Sequence, residues 1–328
     1  MSNLTTILTV VQTLPTDIRM KTIFHLIPPR VLTALMFVAF AVSTLAQDVS
    51  IPDPGLNATI RDALRKPIGP LTETDLLGLL NLSAGGKSIS TVEGLEAARN
   101  LKSLDLDNNS ITNFPIASAL TNLTILDLFN NHLTSFVLSN GSPNLNIIDL
   151  AFNSIDQCSL PVGLTNLDTL FLEGNALTNF NLPAGLTKLT QLDLSGNQLT
   201  SVTLPADATN LVTFLCFANP QLTSLTLPPN LTHLTGIDLD FDHLPSLNLP
   251  AGLTSLGSFI ARENQLTTLT FPPDMTNLTF VDLGDNQLAN LTLPPRLTRL
   301  NFLRLPGNHL STLTLPAGMT NLTSIFLQ

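Results

Sequence analysis

From Leu101 to the end of the chain, apolar and polar residues recur with a step of 22. Units open at Leu101, Leu123, Leu145, Leu167, Leu189, Leu211, Leu234, Leu256, Leu278 and Leu300, and an eleventh opens at Leu322 and reaches Gln328. The one departure is a step of 23 between Leu211 and Leu234, where Asn219-Pro220-Gln221 carries an extra residue. Within a unit the pattern is L-x-x-L-x-L-x-x-N-x-L-x-x-L-x-L-P, followed by a small turn. The L-x-L piece alternates with period two, which predicts a short strand with one face in a core. A fixed period of this size predicts a solenoid. No unit buries its own apolar side chains, and stacked neighbours bury them together as one continuous core.

Asn follows the first strand at 109, 131, 153, 175, 197, 219, 264, 286 and 308, with Asp242 taking its place in the seventh unit. An Asn side chain satisfies backbone groups in a tight bend, and with one Asn per rung the amides are also expected to bond one another. A second alternating piece, such as Leu291-Thr292-Leu293, is closed by Pro at 161, 183, 205, 228, 250, 272, 294 and 316. Proline removes a ladder donor, so the second strand is expected to be short. No stretch between the two pieces has room for a helix.

These residues resemble the leucine-rich repeat family, and the 22-residue step is most similar to its bacterial internalin-like kind. The resemblance covers residues 77–328. It implies a mostly β, right-handed curved stack of about ten rungs, with a parallel sheet on the concave side and short strands on the convex side. It also implies that a protein partner binds the concave side.

The chain before the repeats divides in two. Lys21 and Arg30 precede an apolar run, Val31 to Ala46, that ends in small residues before Gln47 and Asp48. A charged start, an apolar stretch and a small-residue ending predict an export signal over residues 1–46, cleaved after Ala46. Met20 opens a more ordinary signal than Met1 does. The run has 16 residues, short of the roughly 20 a spanning helix needs, and the alternative is an uncleaved membrane anchor at 31–46. Residues 47–100 read as a cap with a degenerate first repeat. Leu56, Ile60, Ala63 and Leu64 share one helical face, and Thr72 with Asp75 forms a capping box before a second short helix. Leu77, Leu80, Leu82, Ile89, Val92 and Leu95 then fit a degenerate unit of 24 residues. This cap also resembles the helical cap of internalin-like proteins. The solenoid proper, 101–328, breaks off inside a strand at Ile325-Phe326-Leu327-Gln328. That ending is expected to mean a longer native chain, or an end rung covered by a partner or a second copy. A structural unit that assembles through this last rung is the alternative to a binding module.

Charge narrows the partners. The formal net charge is −10, and loss of residues 1–46, which hold Arg19, Lys21, Arg30 and Asp17, would take it to −12. A nucleic-acid binder presents a basic face, so nucleic acid and anionic lipid are poor partners. The chain has no Trp and no Tyr, which weakens a sugar-binding reading. Cys158 and Cys216 fall at apolar positions three rungs apart, roughly 14 Å at about 4.8 Å per rung. That is beyond the reach of a disulfide. Sequons such as Asn122-Leu-Thr124 and Asn277-Leu-Thr279 follow from the repeat itself.

The outward positions of the concave strand are the candidate site. The central one reads Asp105, Asp127, Asp149, Phe171, Asp193, Leu215, Asp238, Ile260, Asp282 and Arg304, and the next Asp107, Phe129, Ala151, Glu173, Ser195, Phe217, Asp240, Arg262, Gly284 and Pro306. An acidic stripe on the first rungs and mixed apolar and acidic groups on the middle ones predict a partner-binding face made by Asp105, Asp127, Phe129, Asp149, Phe171, Leu215, Phe217, Asp238, Asp240 and Ile260. Contiguous exposed apolar groups mark interaction sites. Asp238-Leu239-Asp240-Phe241-Asp242 has the spacing that opens a calcium loop, but His243 and Leu249 stand where such a loop needs Gly and Glu. His132, His243 and His309 follow the Asn position on separate rungs. No Ser-His-Asp or Cys-His set converges, so neither an enzyme, a metal nor a cofactor is expected.

Overall fold

The computed structural model describes residues 47–138 and 142–328; the predicted signal segment lies outside them. Twelve parallel strands form one sheet, from Asn81–Ser83 to Ser324–Phe326, in the order in which they occur along the chain. Eleven belong to the units, and each strand pairs with the next at the register of the repeat. Leu104 faces Leu126, Leu126 faces Ile148, and Phe214 faces Ile237 across the 23-residue step. The inward side chains of these strands are almost all fully buried and run as one core from Ile51 to Leu305. The chain is therefore the leucine-rich repeat solenoid its spacing predicts, with a parallel concave sheet.

The convex strands are two or three residues long, as the closing prolines predict. They form three separate ladders: Ser135–Val137 with Gln157–Ser159, Ser201–Thr203 with Ser224–Thr226, and a four-stranded run from Leu247–Asn248 to Thr312–Thr314. The first unit replaces its convex strand with a 3-10 turn, Pro115–Ser118.

The Asn column is the main polar structure, and it differs from expectation in one respect. Asn197 is buried. Its Oδ1 accepts from Leu177 N–H at 3.0 Å, one rung back. Its Nδ2 donates to Leu172 O at 2.9 Å in that rung and to Leu194 O and Ser195 O in its own, at 3.0 and 3.1 Å. Each amide thus ties the backbones of two rungs together, and the amides of this column do not bond one another. The amide–amide bond occurs one residue earlier, where Asn130 Nδ2 donates to Asn108 Oδ1 at 2.8 Å. A second column, Asn122, Asn210, Asn277 and Asn321, donates Nδ2 to the carbonyl of the preceding rung.

The cap holds two helices. In Pro54–Leu64, Asp53 caps the first turn by accepting from Leu56 N–H, and Leu56 and Ile60 are the buried residues. Ala63, expected on the same face, is exposed, while Leu64 packs against the core as a partly buried residue. The short helix Glu73–Leu76 carries the predicted capping box, Thr72 with Asp75. Lys66 Nζ, hydrogen-bonded to Asp75 at 2.6 Å, and Thr72 together hold the Asp75 carboxyl down to about 2. The degenerate unit has a different frame from the predicted one. Asn81–Ser83 pairs with Ser103–Asp105 at a step of 22, not 24, so Leu79, Leu82 and Ala84 take the core positions. Leu77 is only half-buried, and Leu80, expected inside, is 48% exposed. Ala84 and Gly85 in place of larger residues hid this frame.

Candidate partner-binding face

The strand register brings the central outward positions into one column. Asp105 faces Asp127, Asp127 faces Asp149, Asp149 faces Phe171, Leu215 faces Asp238, and Asp238 faces Ile260. Phe129, Phe217 and Asp240 stand two residues further along the same face, so all ten predicted site residues lie on the outward side of the concave sheet. Each is half-buried between its neighbours.

The aspartates also have a local role. Oδ1 of Asp127 accepts from Phe129 N–H at 2.9 Å, Oδ1 of Asp149 from Ala151 N–H at 3.0 Å, and Oδ1 of Asp238 from Asp240 N–H at 3.1 Å. The same bond recurs at Asp105, Asp193 and Asp282. Asp recurs in L-D-L because it closes the turn at the end of the strand. It is therefore neither a simple solvated group nor a purely functional one; the second oxygen accepts from Ser83 Oγ at Asp105 and faces Arg304 at Asp282, while at Asp127, Asp149 and Asp238 only the turn bond is made among the described residues.

Crowding shows in the acid strengths. Burial, with Asp149, Asp105 and Asp107 nearby, pushes the Asp127 carboxyl up to about 6. Burial raises Asp149 and Glu173 as well, with Asp193 adding to both. Asp240 rises to about 6, chiefly by burial and then through Asp238 and Asp282.

Positive charge is distributed unevenly over this face. Arg262 pairs with Glu263 at 2.8 Å and Asp285 at 3.1 Å, and Arg304 lies 3.5 Å from Asp282. Among the described residues no Lys or Arg forms an ion pair with Asp105, Asp127, Asp149 or Glu173. Both arginines stand on the C-terminal rungs, no outward position of the first five rungs carries Lys or Arg, and among the described residues Asp238 and Asp240 are also without an ion pair.

Two outward columns escaped the sequence reading. One lies two residues before the aspartates, where Ile125 and Phe302 are exposed and Phe280 and Phe302 pack with ring centroids 6.2 Å apart. It continues the same alternation and was legible. The other lies just before the Asn column, where every full unit turns through positive φ. Most units place Asn, Asp or Gly there. Two place phenylalanine: Phe152 at φ 55° and Phe241 at φ 58°, each 46% exposed. A bulky residue in this region is a genuine outlier. Because the chain leaves the strand here, period-two counting passes over it; the signal was Phe where other units have Asn or Gly. The Phe152 ring meets Phe129 edge to face at 5.4 Å, and a Cβ at Gly174 would approach that ring to 2.9 Å. Phe241 lies under the Arg262 guanidinium, 5.8 Å from its ring centre.

Little here suggests chemistry. Among the described residues no group of three or more His, Cys, Asp or Glu side chains could hold a metal ion. His132, His243 and His309 are exposed turn residues. A hollow of about 560 Å³ on the convex side is lined by Val137, Asp156, Gln157, Cys158, Ser159, Thr178 and Asn179, and burial pushes the Cys158 thiol up to about 12, far from a reactive thiolate.

Comparison with known proteins gives the same architecture. A model of BspA type leucine rich repeat regions matches residues 216–327, and two further leucine rich repeat models match 165–206 and 100–120. Internalin H of Listeria monocytogenes is 39% identical over 69 residues, a stretch that takes in 20% of this chain and only 13% of that protein. Among solved structures, an internalin of L. monocytogenes (inlF) aligns with a TM-score of 0.59 at 22% identity, over 84% of this chain and 95% of that one. The functional domain of InlJ from the same species aligns with a TM-score of 0.64 at 23% identity, over 85% and 56%. The plant peptide hormone receptor RGFR1, solved in complex with RGF2, aligns with a TM-score of 0.54 at 25% identity, over 71% and 40%. With its register, its Asn column and these matches, the chain belongs to the leucine-rich repeat family, and its repeats are similar to those of bacterial internalins.

Proposed function

We propose that the chain is an exported, non-enzymatic module that holds a protein partner on its concave sheet. One observation carries this reading. Acidic and aromatic side chains share one outward face, half-buried by one another and covered by no other part of the described chain. Anchors of this kind carry most of an interface's energy, while charges at the rim mainly set the association rate. The plant peptide hormone receptor solved in complex with RGF2, which shares this architecture, supports the reading. The net charge of −10 disfavours nucleic acid.

The test is capture of partners from extracellular material. Phe171→Ala combined with Phe217→Ala is expected to abolish capture while leaving the melting curve nearly unchanged. Asp105, Asp127 and Asp149 changed to Asn should slow association and flatten its salt dependence, since each Asn still accepts the turn hydrogen bond. Capture by the double Phe variant at the parent's level would move the site to the convex side. Export is read separately. Among the described residues no helix is long and apolar enough to cross a membrane, and secreted material is expected to begin at Gln47. A secreted chain that still starts at Met1 or Met20 would refute cleavage after Ala46.

A further inference from the structure

The concave-face reading leaves open where on a twelve-stranded sheet the partner sits and what it is made of. We propose that the docking surface is the N-terminal half of the sheet, anchored on the Phe129–Phe152 ring pair, and that its occupant is a basic segment of another protein carrying Lys or Arg side chains interspersed with apolar ones. The inference rests on the concave-face reading and narrows it.

Two independent features support it. The first is charge. Asp127, Asp149 and Glu173 crowd together where no outward position of the first five rungs carries Lys or Arg, whereas Arg262 and Arg304 stand among the acids of the later rungs and pair with Glu263, Asp285 and Asp282. At rung spacing neighbouring carboxylates repel one another, and more strongly where water is excluded. An incoming ammonium or guanidinium relieves that repulsion, so a basic partner gains most here. The second is strain. Phe152 keeps a left-handed backbone that Asn or Gly would adopt more easily. Its ring is half-exposed and fixed by Phe129 on one side and the bare backbone of Gly174 on the other. Packing of the core does not require this arrangement, since Asn108 and Asn130 fill the same position on the two preceding rungs. Strain retained at an exposed, rigidly held side chain is an indication of function. Phe241, the other such residue, already has a cation over its ring from Arg262. Phe152 has none.

The probe is a synthetic peptide of about ten residues alternating Lys with Leu, which spans roughly 33 Å when extended and so reaches over the rungs on either side of the ring pair. Peptides alternating Glu with Leu and Lys with Gly are the controls, and titration calorimetry reads binding. The parent is expected to bind the Lys–Leu peptide at least about tenfold more tightly than either control, a difference of the size one good anchor supplies. Phe152→Asn should weaken binding by about tenfold or more while the melting temperature stays level or rises. Asp127→Asn with Asp149→Asn should weaken binding and flatten its salt dependence. Phe302→Ala, on an exposed outward position of the distant C-terminal rungs, should leave binding unchanged. Absence of Lys–Leu binding by the parent, or parental affinity in Phe152→Asn, overturns the inference. Loss of binding in Phe302→Ala but not in Phe152→Asn overturns it too, yet leaves the concave reading standing. That broader reading has its own test and falls if natural-partner capture survives Phe171→Ala with Phe217→Ala.

Discussion

At the residue scale the Asn column shows how much one side chain can hold. Asn197 satisfies one donor and three acceptors in two rungs. Asn197→Ala leaves those buried groups unpaired and is expected to destabilise by about 1–3 kcal/mol in urea melts; a change within error would mean that water replaces the amide. The seventh rung is the exception. Asp242 is buried, its Oδ1 accepts from Asn219 N–H at 2.8 Å, and its Oδ2 is buried without a partner where other rungs place a donor nitrogen. Burial, with Asp238 and Asp240 close by, pushes its carboxyl up to about 8 from an ordinary 3.8. Because the folded-state value is raised, the stability it contributes is fully present below about pH 4 and is lost as pH rises toward 8. Asp127 and Asp240 add similar slopes up to about 6. Asp242→Asn restores the donor and removes only this residue's share. Between pH 5 and 9 the parent's melting temperature should fall more steeply than the variant's, and parallel curves would show that Asp242 is ionised without cost.

At the element scale the cap is joined to the solenoid through Asp53. Oδ1 caps the helix at Leu56 N–H, and Oδ2 accepts from Ser90 N–H at 2.8 Å in the degenerate unit. Asp53→Ala therefore loses a helix cap and an inter-element bond together. It should cost more than Thr72→Ala, which loses a cap alone, typically about 1 kcal/mol; equal losses would show that the Ser90 bond contributes nothing. The legibility of the sequence divides along the same lines. Strands, Asn bends and the Thr72–Asp75 capping box were legible because each has a local period or spacing. The degenerate unit was misread by two residues because Leu77 and Leu80 imitate the repeat while Ala84 and Gly85 conceal it, and only pairing with Ser103–Asp105 sets its register. The site was legible where side chains alternate. It was lost at Phe152, where positive φ takes the chain out of the strand, and the aspartates' turn bonds were invisible because spacing alone does not show which way a carboxylate turns.

At the scale of the whole molecule, each rung touches its neighbours and little else: every strand of the concave sheet pairs only with the strands before and after it in the chain. Stability should then be close to a sum of rung and interface contributions. The ninth unit, Leu278–Arg299, tests this, because its removal joins Asn277 to Leu300 in the same frame and leaves the Phe129–Phe152 surface untouched. Losses are specific: the Phe280–Phe302 contact, the Arg304–Asp282 and Arg262–Asp285 pairs, and one strand from each face. The shortened chain should keep its β signal per residue and unfold with a denaturant slope smaller by about a tenth, in proportion to the surface removed. It should also bind the Lys–Leu peptide as the parent does, since binding is assigned to rungs far from the cut. A shortened chain that is unfolded would show that rung-to-rung matching is specific rather than interchangeable. One that folds but loses the peptide would show that the distant half shapes the binding face.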